Sequence, residues 1–269
     1  MSDNVPDPDP WLTLRRFTAA RIALGHAGIS QPTAPQLAFQ LAHAQARDAV
    51  HQPLDAEALA TALRAAWPGL PEPVLLHSAA ENRHVYLQRP DLGRRLDAPS
   101  RALLTSHGAG KAETAKFDLA IVVADGLSAR AVTENAAPLL QALQGQLGAG
   151  AWSLAPLAVA LQGRVAIGDE VGQLLGASMV VVLIGERPGL SSPDSMGAYL
   201  TWAPRVGLTD ESRNCISNIR PAGLRCEQAA ARLHYLLAEA RRRGVTGIEL
   251  KDETSTESLT TGAGPAFLL

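Results

Sequence analysis

Aromatic residues are scarce in this chain, with four Phe, four Trp and three Tyr making up only 4% of 269 residues. A β-sandwich core resting on aromatic side chains is therefore disfavoured. Hydrophobic residues reach 46%, so alanine and aliphatic side chains must build the interior, as in an Ala-rich helical or α/β protein. Cysteine is nearly absent as well. Cys215 and Cys226 have no Cys-x-x-Cys spacing and cannot supply the disulfide framework of a small secreted domain, which points to a reducing cytoplasm. Long apolar runs are missing: none exceeds the run from Met179 to Ile184, far short of the roughly 20 residues of a membrane span, so a soluble protein is expected. Excess charge is missing too. A net charge of −2 offers no positive field to hold a nucleic-acid backbone or an anionic membrane. The opening MSDNVPDPDP is acidic and proline-rich, the reverse of the basic start of a secretory signal. Arg15-Arg16 imitates a twin-arginine signal, but Arg21 and His26 interrupt the apolar stretch that should follow.

What is present reads as an arm, a helical region and an α/β region. Residues 1–11, rich in proline and aspartate, cannot bury enough surface to order themselves and read as a solvated arm. Over 12–110 the pattern is mostly helical. Leu37, Leu41, Ala44 and Asp48 lie along neighbouring turns of 34–51, and Asp55 can cap a helix carrying Leu59, Leu63 and Trp67 on one face. Only Val74 to Leu76 reads as a strand there. From 111 to 252 the pattern alternates between strand and helix. DLAIVVADG (118–126) is a β-branched run, and a helix follows with Val132, Ala136, Leu139, Leu140, Leu143 and Leu147 in register, interrupted by Pro138, which should kink or break it. PLAVALQ (156–162), GDEVGQLLG (168–176) and SMVVVLIGER (178–187) read as strand, short helix and buried strand. Uniformly apolar strands alternating with helices indicate an α/β fold, a Rossmann-like parallel sheet with helices on both faces. The stretch 188–224 is rich in Pro, Gly, Ser and Asn and reads as a long functional loop in which only AYLTW (198–202) resembles a strand. A last helix at 226–243 ends in three arginines and Gly244, and the tail 253–269 reads as flexible.

In such a sheet, ligands bind beyond the carboxyl ends of the strands. Three ends carry special sequences: Asp125-Gly126-Leu127-Ser128, Gly163-Arg164-Val165 and Gly185-Glu186-Arg187-Pro188. Each glycine alone does no more than turn the chain. Together with the 188–224 segment leaving the same edge, they point to a ligand cleft. Glu186 can either pair with Arg187 or accept hydrogen bonds from amide N–H donors of a ligand. SHGAGKAET (106–114) imitates a phosphate loop but lacks the required glycine at Thr105 and the hydroxyl at Ala112, and it reads as a connector. There is no Gly-x-Ser-x-Gly elbow or His-Glu-x-x-His pair, and the seven histidines have no metal-ligand spacing. Cys215 lies in a polar stretch without an identifiable base, so no catalytic or metal-ligating residue is assigned.

DLAIVVADGLSARAV, GRVAIGDEVGQLLGA, GERPGLSSPDSMGAYLTWAPRVGLT and RNCISNIRPAGL closely resemble the small subunit family of ethanolamine ammonia-lyase. ARIALGHAGIS, LAFQLAHAQARDAVHQPLD and YLQRPDLGRRLD extend the likeness through the N-terminal half, from about 13 to 252. The resemblance implies an adenosylcobalamin enzyme of two subunit types that deaminates ethanolamine and related vicinal amino alcohols to acetaldehyde and ammonia. It implies a TIM-barrel large subunit holding the substrate, a hetero-oligomer, and a cytoplasmic location, free or inside a bacterial microcompartment. It also implies corrin contacts at Val165, Glu186 and Cys215. A histidine that displaces the cofactor's own base would come from an Asp-x-His-x-x-Gly loop. No histidine here follows an aspartate by two positions: Leu24 precedes His26 and Thr105 precedes His107. A base-on cofactor is expected. A nucleotide enzyme and a non-catalytic adaptor are the competing readings.

Overall fold

The apolar runs seen in the sequence form the middle of one six-stranded sheet in the structure, a computed structural model that describes residues 10–108, 117–148 and 151–254. The helices are α1 (Thr33–His51), α2 (Ala56–Ala66), α3 (Arg83–Gln88), α4 (Ala98–Gly108), α5 (Ala129–Leu147), α6 (Ile167–Leu175) and α7 (Cys226–Arg243). The strands are β1 (Val74–His77), β2 (Phe117–Ala124), β3 (Ala158–Leu161), β4 (Ala177–Gly185), β5 (Met196–Trp202) and β6 (Arg213–Ile219), in the spatial order β1-β3-β2-β4-β5-β6. The first four are parallel, and β5 and β6 complete the sheet antiparallel. Short connections at 186–195 and 203–212 leave no room for a crossover helix, so the chain can only reverse. The segment read as one long loop therefore holds two strands. RNCISNI (213–219) escaped notice because an edge strand with one wet face carries few apolar residues.

After β2 the chain passes to β3 on one side, then returns to β4 on the other, so the connections diverge at β2. One sheet face is covered by α2, α5 and α7, through Leu63, Leu139, Leu143, Leu233 and Leu237. The other is covered by α4 and α6, through Leu104, Ile167 and Val171. The Asp55 carboxylate caps α2 by accepting from the Ala58 amide at 3.0 Å, and Gly244 ends α7 with φ +69°. The helix across Pro138 is a single element from Ala129 to Leu147. The face of α1 differs from the one outlined by its leucines. Ala42, Ala46 and Ala49 are buried while Leu37 and Leu41 are exposed, because small side chains let α1 lie close to its neighbours. The N-terminal arm and the tail fall mostly outside the described residues, at 1–9 and 255–269, as does most of the connector at 109–116; Pro10–Arg16 forms a 3-10 turn.

β6 is tied to α6 by a buried ion pair between Arg213 and Asp169, and Arg213 also reaches Asp210 at 3.1 Å. Burial pushes the Asp169 carboxyl up to about 6 against the pull of Arg213, so it is ionised at neutral pH. α6 lies directly on β4. A Cβ at Gly168 would come to 2.2 Å from Val182 Cγ2, a contact that a shift of the helix or of the Val182 side chain must relieve. Gly168→Ala is expected to lower stability by about 1 to 3 kcal/mol through overpacking, read as an earlier urea midpoint with unchanged slope. An unchanged midpoint would show that α6 is free to shift.

Candidate functional site

The three glycine-bearing strand ends meet at one open cleft of about 410 Å³, lined among others by Gly126, Leu127, Arg164, Val165, Gly185 and Glu186. Its floor is a contact of backbone on backbone. The Leu127 amide donates to the Gly185 carbonyl at 2.9 Å, and a Cβ at Gly126 (φ +57°) would stand 2.2 Å from that carbonyl oxygen. A Cβ at Gly185 would strike the Ser128 carbonyl at 2.0 Å. Two glycines are required because the turn after β2 rests on the last residue of β4. Ser128 then starts α5, its hydroxyl accepting from the Ala131 amide and donating to the Pro193 carbonyl at 2.7 Å, which holds the 186–195 connection beside the cleft.

Beneath the floor, Asp125 is buried and accepts from the Gly163 amide at 3.1 Å. Burial raises its pKa, and the Arg83 guanidinium, 3.4 Å away, and the amides of Gln162 and Gly163 oppose that rise. Arg83 also donates to the carbonyls of Gly126 at 2.7 Å and Val50 at 2.7 Å. The loop after β3 is thus fastened to the end of β2. It is fastened again from the N-terminal half: the Tyr86 hydroxyl donates to the Gly163 carbonyl at 3.1 Å and the Arg164 amide to the Gly93 carbonyl at 2.7 Å. Tyr86 is wholly buried, and burial pushes its phenol far up, so it stays a proton donor. Gln162, which leads into this loop, holds φ at +55°, a strained setting for a residue with a Cβ.

Val165 and Glu186 stand on the walls of the same cleft. No described carboxylate–guanidinium pair joins Glu186 to Arg187. Instead Glu186 Oε2 accepts from the Ser195 hydroxyl at 2.5 Å and from the Asn218 amide at 3.3 Å, and Asn218 takes a left-handed φ of +60°. Oε1 has no hydrogen-bond partner among the described residues. Cys215 does not line the cleft. It sits on the edge strand β6 opposite Tyr199 of β5, and Tyr199 does line it. Desolvation pushes the exposed Cys215 thiol up, with the Glu186 carboxylate acting the same way against a hydrogen bond from Tyr199, so the thiol stays protonated near neutrality. No group of three or more His, Cys, Asp or Glu among the described residues is placed to hold a metal ion. No described helix is long and apolar enough to cross a membrane.

Tyr86 and Arg83 were missed in the sequence, since α3 lies about thirty residues before β2 in a region read as helical scaffold. The signal available was one of only three tyrosines, in a chain poor in aromatics, flanked by arginines.

Comparison with known proteins agrees along nearly the whole chain. Residues 8–251 match the family model described as ethanolamine ammonia-lyase light chain (EutC). A Pseudomonas aeruginosa protein named ethanolamine ammonia-lyase small subunit is 59% identical over 251 residues, covering 93% of this chain and 90% of its own. Proteins of the same name from Ralstonia nicotianae and Azotobacter vinelandii are 59% and 58% identical, covering 94% and 100% of this chain and 92% and 99% of their own. With the cleft at the strand ends and this likeness over both halves of the molecule, the chain belongs to the ethanolamine ammonia-lyase light chain family.

Proposed function

We propose that this chain is the small subunit of an adenosylcobalamin-dependent ethanolamine ammonia-lyase, which deaminates ethanolamine and related vicinal amino alcohols to acetaldehyde and ammonia. A TIM-barrel large subunit holds the substrate, and this chain covers one edge of the corrin. The hetero-oligomer works in the cytoplasm, free or inside a bacterial microcompartment. The observation that carries the reading is the meeting of the strand ends of β2, β3 and β4 in one open cleft with Val165 and Glu186 on its walls. The reaction is the one for which relatives that match nearly end to end are named.

The residues present suit the cofactor. A corrin offers an apolar ring edge and amide side chains. Val165 supplies an apolar wall, and Glu186 supplies an acceptor already fixed by Ser195 and Asn218 through Oε2, leaving Oε1 for a ligand N–H. A cleft of about 410 Å³ is of the size that encloses a drug-sized molecule, so it takes one edge of so large a cofactor and leaves the rest to a second chain. When bound, adenosylcobalamin supplies radical chemistry by homolysis of its cobalt–carbon bond. Val165 and Glu186 orient, and the 186–195 connection and Tyr199 exclude water. Cys215, beside Tyr199 on β6, would meet the corrin at the outer rim as a neutral thiol. The resemblance, with no histidine following an aspartate by two positions, supports a cofactor that keeps its own base on cobalt.

Three outcomes test this reading. Ammonia release from ethanolamine and adenosylcobalamin is expected only when both purified chains are present; release by this chain alone overturns the division of labour. Glu186→Ala is expected to weaken cofactor binding by the assembled enzyme by about 1.5 to 3 kcal/mol, one charge-assisted hydrogen bond, with the melting transition kept. Unchanged affinity would leave Glu186 as a brace for Ser195 and Asn218 alone. Electron paramagnetic resonance of the enzyme loaded with cob(II)alamin is expected to show a nitrogen splitting that does not respond to nitrogen-15 labelling of the protein. A response would put a protein histidine on cobalt.

A further inference from the structure

We infer that Arg164 is the anion-reading residue of the cleft and receives the phosphodiester of the corrinoid, an assignment that rests on the cofactor reading above. The cleft carries two guanidiniums, Arg164 and Arg187, and neither has a carboxylate within ion-pair distance among the described residues. Most other arginines nearby are spoken for: Arg83 pairs with Asp125, Arg220 with Asp194 at 3.6 Å, and Arg213 with Asp169. Arg164 is also held rigidly. Its guanidinium lies 4.4 Å from the centre of the Tyr86 ring, its Nη2 donates to the Tyr86 carbonyl at 3.4 Å, and its backbone amide is fixed on Gly93. A Cβ at Gly93 would come to 2.9 Å from Arg164 Cγ, so the stem of the side chain is packed as well.

A guanidinium fixed this firmly in the lining, with no described carboxylate partner and with Nη1 donating to no described atom, is a charged donor awaiting an acceptor. The unpartnered buried atoms of this region, Arg164 Nε, Arg83 Nη2 and Gln162 Oε1, belong to the same loop and its fastening. The amides of Val165 and Ala166 add to the donors. They bond to no described oxygen, and Ala166, the N-cap of α6, offers no side-chain cap. An anion in the cleft beside Arg164 would find both the guanidinium and the neighbouring loop amides as donors. Elsewhere in the lining Glu186 takes amide N–H groups instead. The cleft thus sorts the periphery of its ligand by charge. Adenosylcobalamin carries neutral carboxamides and one anionic group, the phosphodiester of its nucleotide arm, which makes that group the match for Arg164.

The test uses the two-chain enzyme and measures equilibrium binding of two corrinoids that lack the nucleotide base, adenosylcobinamide and adenosylcobinamide phosphate. The wild-type enzyme is expected to bind the phosphate form about 10- to 100-fold more tightly, the range of one charge-assisted contact. Arg164→Gln is expected to erase that preference while leaving adenosylcobinamide unaffected, and Arg164→Lys to keep part of it. The wild-type comparison stands even if a variant fails to fold. Equal wild-type affinities, or an equal loss for both corrinoids in Arg164→Gln, would overturn the assignment and leave Arg164 as a support for the Tyr86 wall. Inorganic phosphate that tightens adenosylcobinamide by the same factor would mark a free-phosphate site and overturn it too. Absence of binding of either corrinoid, and of adenosylcobalamin, would remove the cofactor reading along with it, whereas tight adenosylcobalamin binding without phosphate preference removes this inference alone.

Discussion

The buried carboxylate of Asp125 is the constraint on which the cleft depends. It ends the central strand β2, where no water reaches it, and a buried charge is tolerated only when paired and hydrogen-bonded. The partners it gathers come from three places: the loop after β3, the turn into α5, and Arg83 on a helix from the N-terminal half. Satisfying one carboxylate therefore brings together segments separated by tens of residues. Arg83 extends the same fastening to Gly126 and Val50, so the floor of the cleft and the end of α1 are held by one guanidinium.

Around that anchor the walls are made by close approach. Gly126 and Gly185 allow the turn after β2 to lie on the end of β4, and Gly93 allows Tyr86 and Arg164 to stack. Rigidity of this kind suits a chain that orients and encloses. Its polar groups are fixed, yet among the described residues Arg164 Nε and Glu186 Oε1 have no hydrogen-bond partner.

Much of the fold was legible because burial on both faces leaves an unmistakable trace. β2, β3 and β4 are continuous apolar runs, α5 and α7 repeat their leucines at helical spacing, and Asp55 and Gly244 mark helix ends. β6 was hidden because it is an edge strand that buries only Arg213, Ile216 and Ile219, with a register shift against β5, so no two-residue alternation is written into it. The direction of β5 was hidden because strand polarity follows from the length of its connection. The apolar stripe of α1 misled for a related reason: its alanines, not its leucines, face the protein.

Of the cleft, the sequence by itself determined the three glycine-bearing strand ends, since turns that need a bare backbone must be written with glycine, and it placed Val165 and Glu186 beside them. Resemblance over the whole chain named the family. Only the tertiary structure decided that Glu186 is braced by Ser195 and Asn218 in place of Arg187, that Cys215 stands one strand away from the cleft, and that Tyr86 and Arg83 complete its base. These relations join residues far apart in the chain. Local propensity carries no record of them, because they arise when buried polar groups must find partners wherever the folded backbone brings them.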